Sequence, residues 1–238
     1  MFKGRTVLAV VPARGGSKGV KLKNIHPLSG VPLISHTGML IRELGYIDKA
    51  VVSTDHPAIA EVAQESGLDA PFFRPEELSG DLISDFQVLH HALTEMERLE
   101  HTRYDVIVML QPTSPLRKPA HVTAVIGKLI DEGWDAVWTV SLTDLKYHPL
   151  KQLQLSGDGA MEFFDPHGGS IVARQQLKQV YHRNGAAYAY TRGCLVEQCT
   201  VKGKRTAGLV IDEPMISIDT LEDFERVETL MSRQGRIS

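Results

Sequence analysis

The chain has 238 residues, 42% of them hydrophobic and 23% charged, enough apolar material for one large α/β domain with a proper core. A formal net charge of −3 excludes the strongly basic balance of a nucleic-acid-binding surface. Two cysteines, Cys194 and Cys199, make neither a disulfide framework nor a zinc site, and no segment approaches the roughly 18 apolar residues of a membrane span.

The first residues run straight into an apolar strand without the long apolar stretch of a signal peptide, so a soluble, cytoplasmic protein is expected. Short β-branched runs recur at 7–11, 50–53, 106–110 and 136–140, apolar on both faces as strands of a covered parallel sheet are. Segments 32–44, 57–66, 84–99 and 119–132 repeat apolar residues three and four apart, and several open on Pro or after a Ser or Asp cap. Strand alternating with helix predicts an α/β fold with a doubly wound, mainly parallel sheet. From 141 to 182 the pattern breaks into mixed short pieces punctuated by Gly157, Gly159, Gly168 and Gly169, which reads as an inserted arm suited to a dimer contact. Strands are then expected at 186–190, 208–211 and 215–218, and a closing helix over 220–231 capped by Asp219 or Thr220.

In such sheets ligands gather at the carboxyl ends of strands. Three polar clusters follow strands directly: Ala13-Arg14-Gly15-Gly16-Ser17-Lys18-Gly19, Thr54-Asp55-His56, and Gln111-Pro112-Thr113-Ser114-Pro115. The first has the means to hold a polyphosphate, because glycine brings main-chain N–H groups close to an anion while Arg14, Lys18, Lys21 and Lys23 add charge. Four cations within ten residues repel one another unless an anion gathers them. The stretch has neither the P-loop spacing nor the G-x-G-x-x-G of a dinucleotide fold, which removes the main support for a kinase or a dehydrogenase.

Taken in order, that loop with Lys23-Asn24, then Val52-Ser53-Thr54-Asp55, Leu110-Gln111-Pro112-Thr113-Ser114-Pro115-Leu116-Arg117, Arg183-Asn184-Gly185-Ala186 and Ser217-Ile218-Asp219-Thr220 resemble the acylneuraminate cytidylyltransferases, also called CMP-sialic acid synthetases. The resemblance covers nearly the whole chain and implies a Rossmann-like nucleotidyltransferase. It implies a Mg²⁺-dependent reaction in which the anomeric hydroxyl of a nonulosonic sugar acid attacks the α-phosphorus of CTP and expels pyrophosphate. By the matching positions, Arg14 and Lys23 would serve catalysis. Arg14, Ser17, Lys18, Asn24, Arg74 and Ser84 would bind CTP, and Gln111, Lys151, Arg174 and Asn184 the sugar acid. Asp219 would bind the metal. A plain structural reading stands beside several of these: a surface arginine for Arg74, a stiffened turn around Gln111, an Asn-Gly turn at Asn184, solvated arm residues for Lys151 and Arg174, and a helix cap for Asp219. Arg117 is expected to be structural or part of the cleft wall.

One position departs from the resemblance. Two aspartates two residues apart would chelate Mg²⁺ before the last helix, and here the first of them is Ser217. A neutral hydroxyl is a weak partner for a hard cation, so looser metal binding is expected, with Asp212 as a candidate substitute. Three alternatives stay open: a legionaminic acid enzyme, a synthetase for another keto-sugar acid, and a CTP-binding relative without catalysis.

Overall fold

The computed structural model describes residues 1–233 and 235. Six strands form the central sheet and four more form two small hairpins; in chain order they are β1 (Val7–Pro12), β2 (Pro27–Leu28), β3 (Val31–Pro32), β4 (Lys49–Ser53), β5 (Val106–Met109), β6 (Ala136–Leu142), β7 (Leu153–Leu155), β8 (Met161–Phe163), β9 (Tyr181–Thr191) and β10 (Thr206–Val210). The helices are α1 (Leu33–Arg42), α2 (Pro57–Glu65), α3 (Asp85–Glu100), α4 (Pro119–Asp131), α5 (Arg192–Val196) and α6 (Leu221–Arg233). The sheet order is β10-β6-β9-β5-β1-β4, parallel throughout except that β9 runs antiparallel to both of its neighbours.

Strand β1 shows how the layers form. Val7, Ala9 and Val11 point into a core built with Ile34, Ile41, Ile59, Val122 and Val125 of α1, α2 and α4. Leu8 and Val10 point the other way, against Leu89, Ala92 and Leu93 of α3 and Leu195 of α5. The side-chain period of two therefore sends alternate residues into opposite helical layers, which is why these strands carry apolar residues on both faces. Each fully buried Leu or Val contributes about 1.5–3 kcal/mol relative to exposure.

A third, smaller core lies under the end of the molecule where the site forms. Val20, Leu28, Leu33, Leu116 and Ile218 pack there against Phe224, Val227 and Met231 of α6. The β2–β3 hairpin, turned by Ser29 and Gly30 at φ 51° and 78°, is pinned to α6 by the Ser29 N–H donating to Glu228 Oε1 at 2.6 Å. One expected strand is absent: residues 215–218 form no ladder. The chain instead buries Ile218 completely and spends its N–H on Thr113 O at 2.8 Å, so it anchors the site and lengthens no sheet. The expected closing helix is present, and its cap is Thr220. The Asp223 N–H donates to Thr220 Oγ1 at 3.3 Å while the Thr220 N–H donates to Asp223 Oδ2 at 3.0 Å. That arrangement leaves the Asp219 side chain free for other work. The two cysteines stand as free thiols, Cys194 buried and Cys199 exposed.

Candidate active site

At the carboxyl ends of β1 and β5 the chain encloses a cavity of about 580 Å³. Arg14, Ser17, Lys18, Lys23, Asn24, Arg74, Gln111 and Asp219 all line it, so eight of the twelve residues nominated from sequence meet in one place. The other four lie elsewhere. Ser84 caps α3 at the cavity's edge, accepting from the Gln87 N–H at 3.4 Å while its own N–H donates to Gln87 Oε1 at 3.0 Å. Asn184 is buried and its amide is spent inside the fold: Oδ1 accepts from Thr139 Oγ1 at 2.7 Å and Nδ2 donates to Ser141 Oγ at 3.0 Å. Lys151 and Arg174 share a second cavity on the arm with Leu142, Asp144 and Gln179.

The glycine loop is held from below and behind. Asn24 Nδ2 donates to Arg14 O at 3.0 Å, and the Gly15 N–H donates to Asp55 Oδ1 at 2.8 Å, which ties the first two strand-end clusters together. Gly19 passes so close to the main chain of Asp219 that a Cβ there would overlap the Asp219 carbonyl oxygen. That approach brings Lys23 to Asp219. Its ammonium donates to Ile218 O and to Asp219 Oδ1, both at 2.8 Å, and the side chain is only 13% exposed. An ammonium has three N–H bonds, so one is left for a ligand.

Arg14 and Lys18 converge on an acid that the sequence reading did not nominate. Asp81 accepts from Arg14 Nη2 at 2.7 Å and from Lys18 Nζ at 2.6 Å, and these hydrogen bonds, Lys18's first, hold its carboxyl below the usual carboxylate range. Two cations on one small anion are a phosphate-binding geometry with a carboxylate in the phosphate's place. Arg74 is different in kind. It is buried, with Nε donating to Ser53 Oγ at 3.1 Å and Nη2 donating to Ser53 O, and no carboxylate among the described residues forms an ion pair with it. Burial pulls its guanidinium down to about 10, still far above neutral pH, so a cation stands in the wall.

The Gln111 segment owes its shape to Arg117 and to a bulge in β9. Arg117 is buried, donating from Nε to Ser114 O at 3.1 Å and from Nη2 to Gln111 O, and burial lowers its pKa to about 9. Opposite, the β6–β9 register runs from Trp138↔Tyr188 to Val140↔Arg183, so β9 carries extra residues at Asn184–Ala187. Gly185 sits at φ 72° in that bulge, its N–H donating to the Tyr188 hydroxyl at 2.7 Å, and a Cβ on it would strike Ser114 Oγ and Gln111 Oε1. The R-N-G-A segment thus abuts the Q-P-T-S-P segment because a glycine permits the contact.

For a divalent metal the donors are few. Asp219 is the fitting group: its side chain is 73% exposed, Oδ1 meets Lys23, and Oδ2 makes no hydrogen bond among the described residues. No group of three or more His, Cys, Asp or Glu side chains among the described residues is placed to hold a metal. One carboxylate fits a Mg²⁺ whose other oxygens come from phosphates and water.

The sequence profile of the cytidylyltransferase family matches residues 8–236. The chain belongs to that family. It is 30% identical over 234 residues to the CMP-N,N'-diacetyllegionaminic acid synthase of Legionella pneumophila, covering 94% of this chain and 96% of the relative. It is 32% identical over 236 residues to N-acylneuraminate cytidylyltransferase A of Danio rerio, covering 98% of this chain and 52% of that one. The chain therefore spans about half the length of that relative and nearly all of the bacterial one. In fold it matches a CMP:2-keto-3-deoxy-manno-octonic acid synthetase solved with CTP, with a TM-score of 0.70, 18% identity, and 96% and 99% of the two chains covered. As a family member the protein is a nucleotidyltransferase. Asp81, Asp85 and Tyr188 were not singled out from sequence, and Arg183, quoted in the R-N-G-A segment, was given no role. Of the first three only Asp85 had a signal, an acid just after the Ser84 cap.

Proposed function

We propose that this cytidylyltransferase activates a nonulosonic sugar acid of the sialic or legionaminic type with CTP, giving the CMP-sugar and pyrophosphate. The observation that carries this is the convergence of Arg14, Lys18 and Lys23 on one cavity whose other wall holds Arg74 and Gln111. Nucleotidyl transfer needs alignment of attacker and leaving group and neutralisation of charge on phosphate oxygens, with little covalent help from protein. Arg14 and Lys18 suit the β- and γ-phosphates of the departing pyrophosphate. Lys23, fixed by Ile218 O and Asp219, turns its remaining N–H to an oxygen of the reacting phosphate. Mg²⁺ held at Asp219 would add Lewis-acid neutralisation of the same oxygens. Gln111, whose amide makes no hydrogen bond among the described residues, is placed to orient the sugar. Lys151 and Arg174 carry the cations suited to a carboxylate.

Those two cations lie on the arm, so they would meet the sugar only where the arm packs over a partner's site. The arm exposes Leu153, Leu155, Met161, Phe163 and Phe164, a run of apolar surface that a second copy of the chain would cover in a homodimer. No helix among the described residues is long and apolar enough to cross a membrane. The test mixes the purified protein with CTP and a panel of sialic, legionaminic, pseudaminic and octulosonic acids, with Mg²⁺ or with chelator, and follows pyrophosphate. Release dependent on Mg²⁺ and on one or a few nonulosonic acids is expected. CTP binding with no pyrophosphate from any sugar would support a non-catalytic relative instead.

A further inference from the structure

We infer that Asp55 is the positioning residue that aims the cationic loop at the outer phosphates of the nucleotide; this rests on the CTP reading above and deepens it. The cluster Thr54-Asp55-His56 follows β4, and Asp55 is exposed there at the strand's end. It acts on one peptide unit. Asn24 Nδ2 donates to Arg14 O at 3.0 Å and the Gly15 N–H donates to Asp55 Oδ1 at 2.8 Å, so both polar ends of the Arg14–Gly15 peptide are pinned, from two separate pieces of chain. Holding a planar unit at its oxygen and at its nitrogen fixes the torsions on either side, ψ of Arg14 and φ of Gly15. Those torsions set where the Arg14 side chain and the next amides point.

The neighbours of Asp55 brace the same unit. The His56 ring lies so near Gly15 that a Cβ there would come within 2.9 Å of its Cδ2. The His56 N–H donates to Thr54 Oγ1 at 3.1 Å, and Thr54 O accepts the Arg74 N–H at 2.7 Å, so the cluster is itself tied down. Further on, the Ser17 N–H turns back to Gly15 O at 2.9 Å, while the Gly16 N–H has no partner among the described residues. The loop so held offers an anion the Gly16 N–H together with the cations of Arg14 and Lys18. The Asp55 charge is felt across the cavity: burial lowers the Arg74 pKa, and Asp55 works against that fall. An acid beside a phosphate site also repels the ligand, so on charge alone its removal should tighten a polyphosphate. Loss of the bond that aims the loop should instead loosen one. The two effects have opposite signs, and the sign of the change decides between them.

The experiment is calorimetric titration of the full chain with CTP and with inorganic tripolyphosphate, which has the tail and no base. Asp55→Ala should bind both on the order of tenfold more weakly than wild type, as the loss of a hydrogen bond to a charged group implies. Asp55→Asn keeps an oxygen that can accept from Gly15 while losing the charge, and should bind both within about threefold of wild type. Because Asp55 is exposed, neither variant threatens the core. Hydrogen exchange at the Gly15 amide reads the bond itself with no ligand present: it should quicken on the order of tenfold in Asp55→Ala and stay near wild type in Asp55→Asn. Unchanged or tighter binding of both ligands by Asp55→Ala overturns the assignment. So does a loss confined to CTP, which would place the effect at the base, and so does an Asn variant as weak as the Ala one. A wild type that binds tripolyphosphate yet releases no pyrophosphate from CTP with any sugar acid would count against the function proposed above, while the comparison of the Asp55 variants would still decide the role of that residue.

Discussion

Asp81 occupies the two cations proposed above for the outer phosphates. Its carboxylate bridges Arg14 and Lys18 at 2.7 and 2.6 Å, so a nucleotide arriving there would displace an anion already in place. The exchange is favourable because a triphosphate brings more charge and more acceptor oxygens than one carboxylate. Removing the competitor should then help binding. Asp81→Asn is expected to tighten CTP on the order of two- to fivefold at low salt, with the gain fading as salt screens the exposed pair, read as Kd against ionic strength. Weaker CTP binding by the variant would mean that Asp81 serves the bound state. Lys23 differs from these two cations. At 13% exposed and held by the Ile218 carbonyl and the Asp219 carboxylate it is pre-positioned, which suits a group acting where charge develops.

The elements most legible in sequence were those with a strong period. The strands at 7–11, 50–53, 106–110 and 136–140 and the five long helices lie within a few residues of their expected bounds, because burial on two faces leaves an unbroken β-branched run and burial on one leaves a helical stripe. What a period cannot encode is pairing. The bulge of β9 rests on a glycine at φ 72° whose N–H goes to the Tyr188 hydroxyl three residues on, and on Ser114 and Gln111 brought against that glycine from distant chain. Residues 215–218 show the converse case: an apolar run that satisfies its backbone on Thr113 and so is no strand. The bulge also makes a prediction at this scale. Gly185→Ala puts a Cβ against Ser114 Oγ and Gln111 Oε1 in a backbone region costly for L-residues, by about 1–2 kcal/mol before any clash. Thermal melting should fall by several degrees, and the KM for sugar acid should rise more than that for CTP, since the glycine loop is untouched. A variant with both values unchanged would show that the bulge does not set Gln111.

Across the whole molecule the site is assembled from loops that only the finished sheet brings together: residues near 14, 24, 74, 111 and 219 meet because β1, β4 and β5 are neighbours and α6 packs under the β2–β3 hairpin. The cation-rich loop was legible because its chemistry is local. Asp81 and Asp85 were not, since an exposed acid in a loop or at a helix start has ordinary local reasons to be there, and only the fold shows what it faces. The arm makes the largest-scale expectation, a homodimer in solution, which sizing by light scattering checks; Phe164→Asp with Leu155→Asp should give a monomer if the arm is the contact. If the cationic loop holds the outer phosphates while the α-phosphorus is attacked, the two ends of the nucleotide part company. CTP labelled at the α-phosphate or at the γ-phosphate, incubated with the accepted sugar acid and Mg²⁺, follows each end. The α-label should appear in the sugar product and the γ-label only in pyrophosphate. γ-Label on the sugar, or α-label released as free CMP without sugar, would contradict that role of the loop.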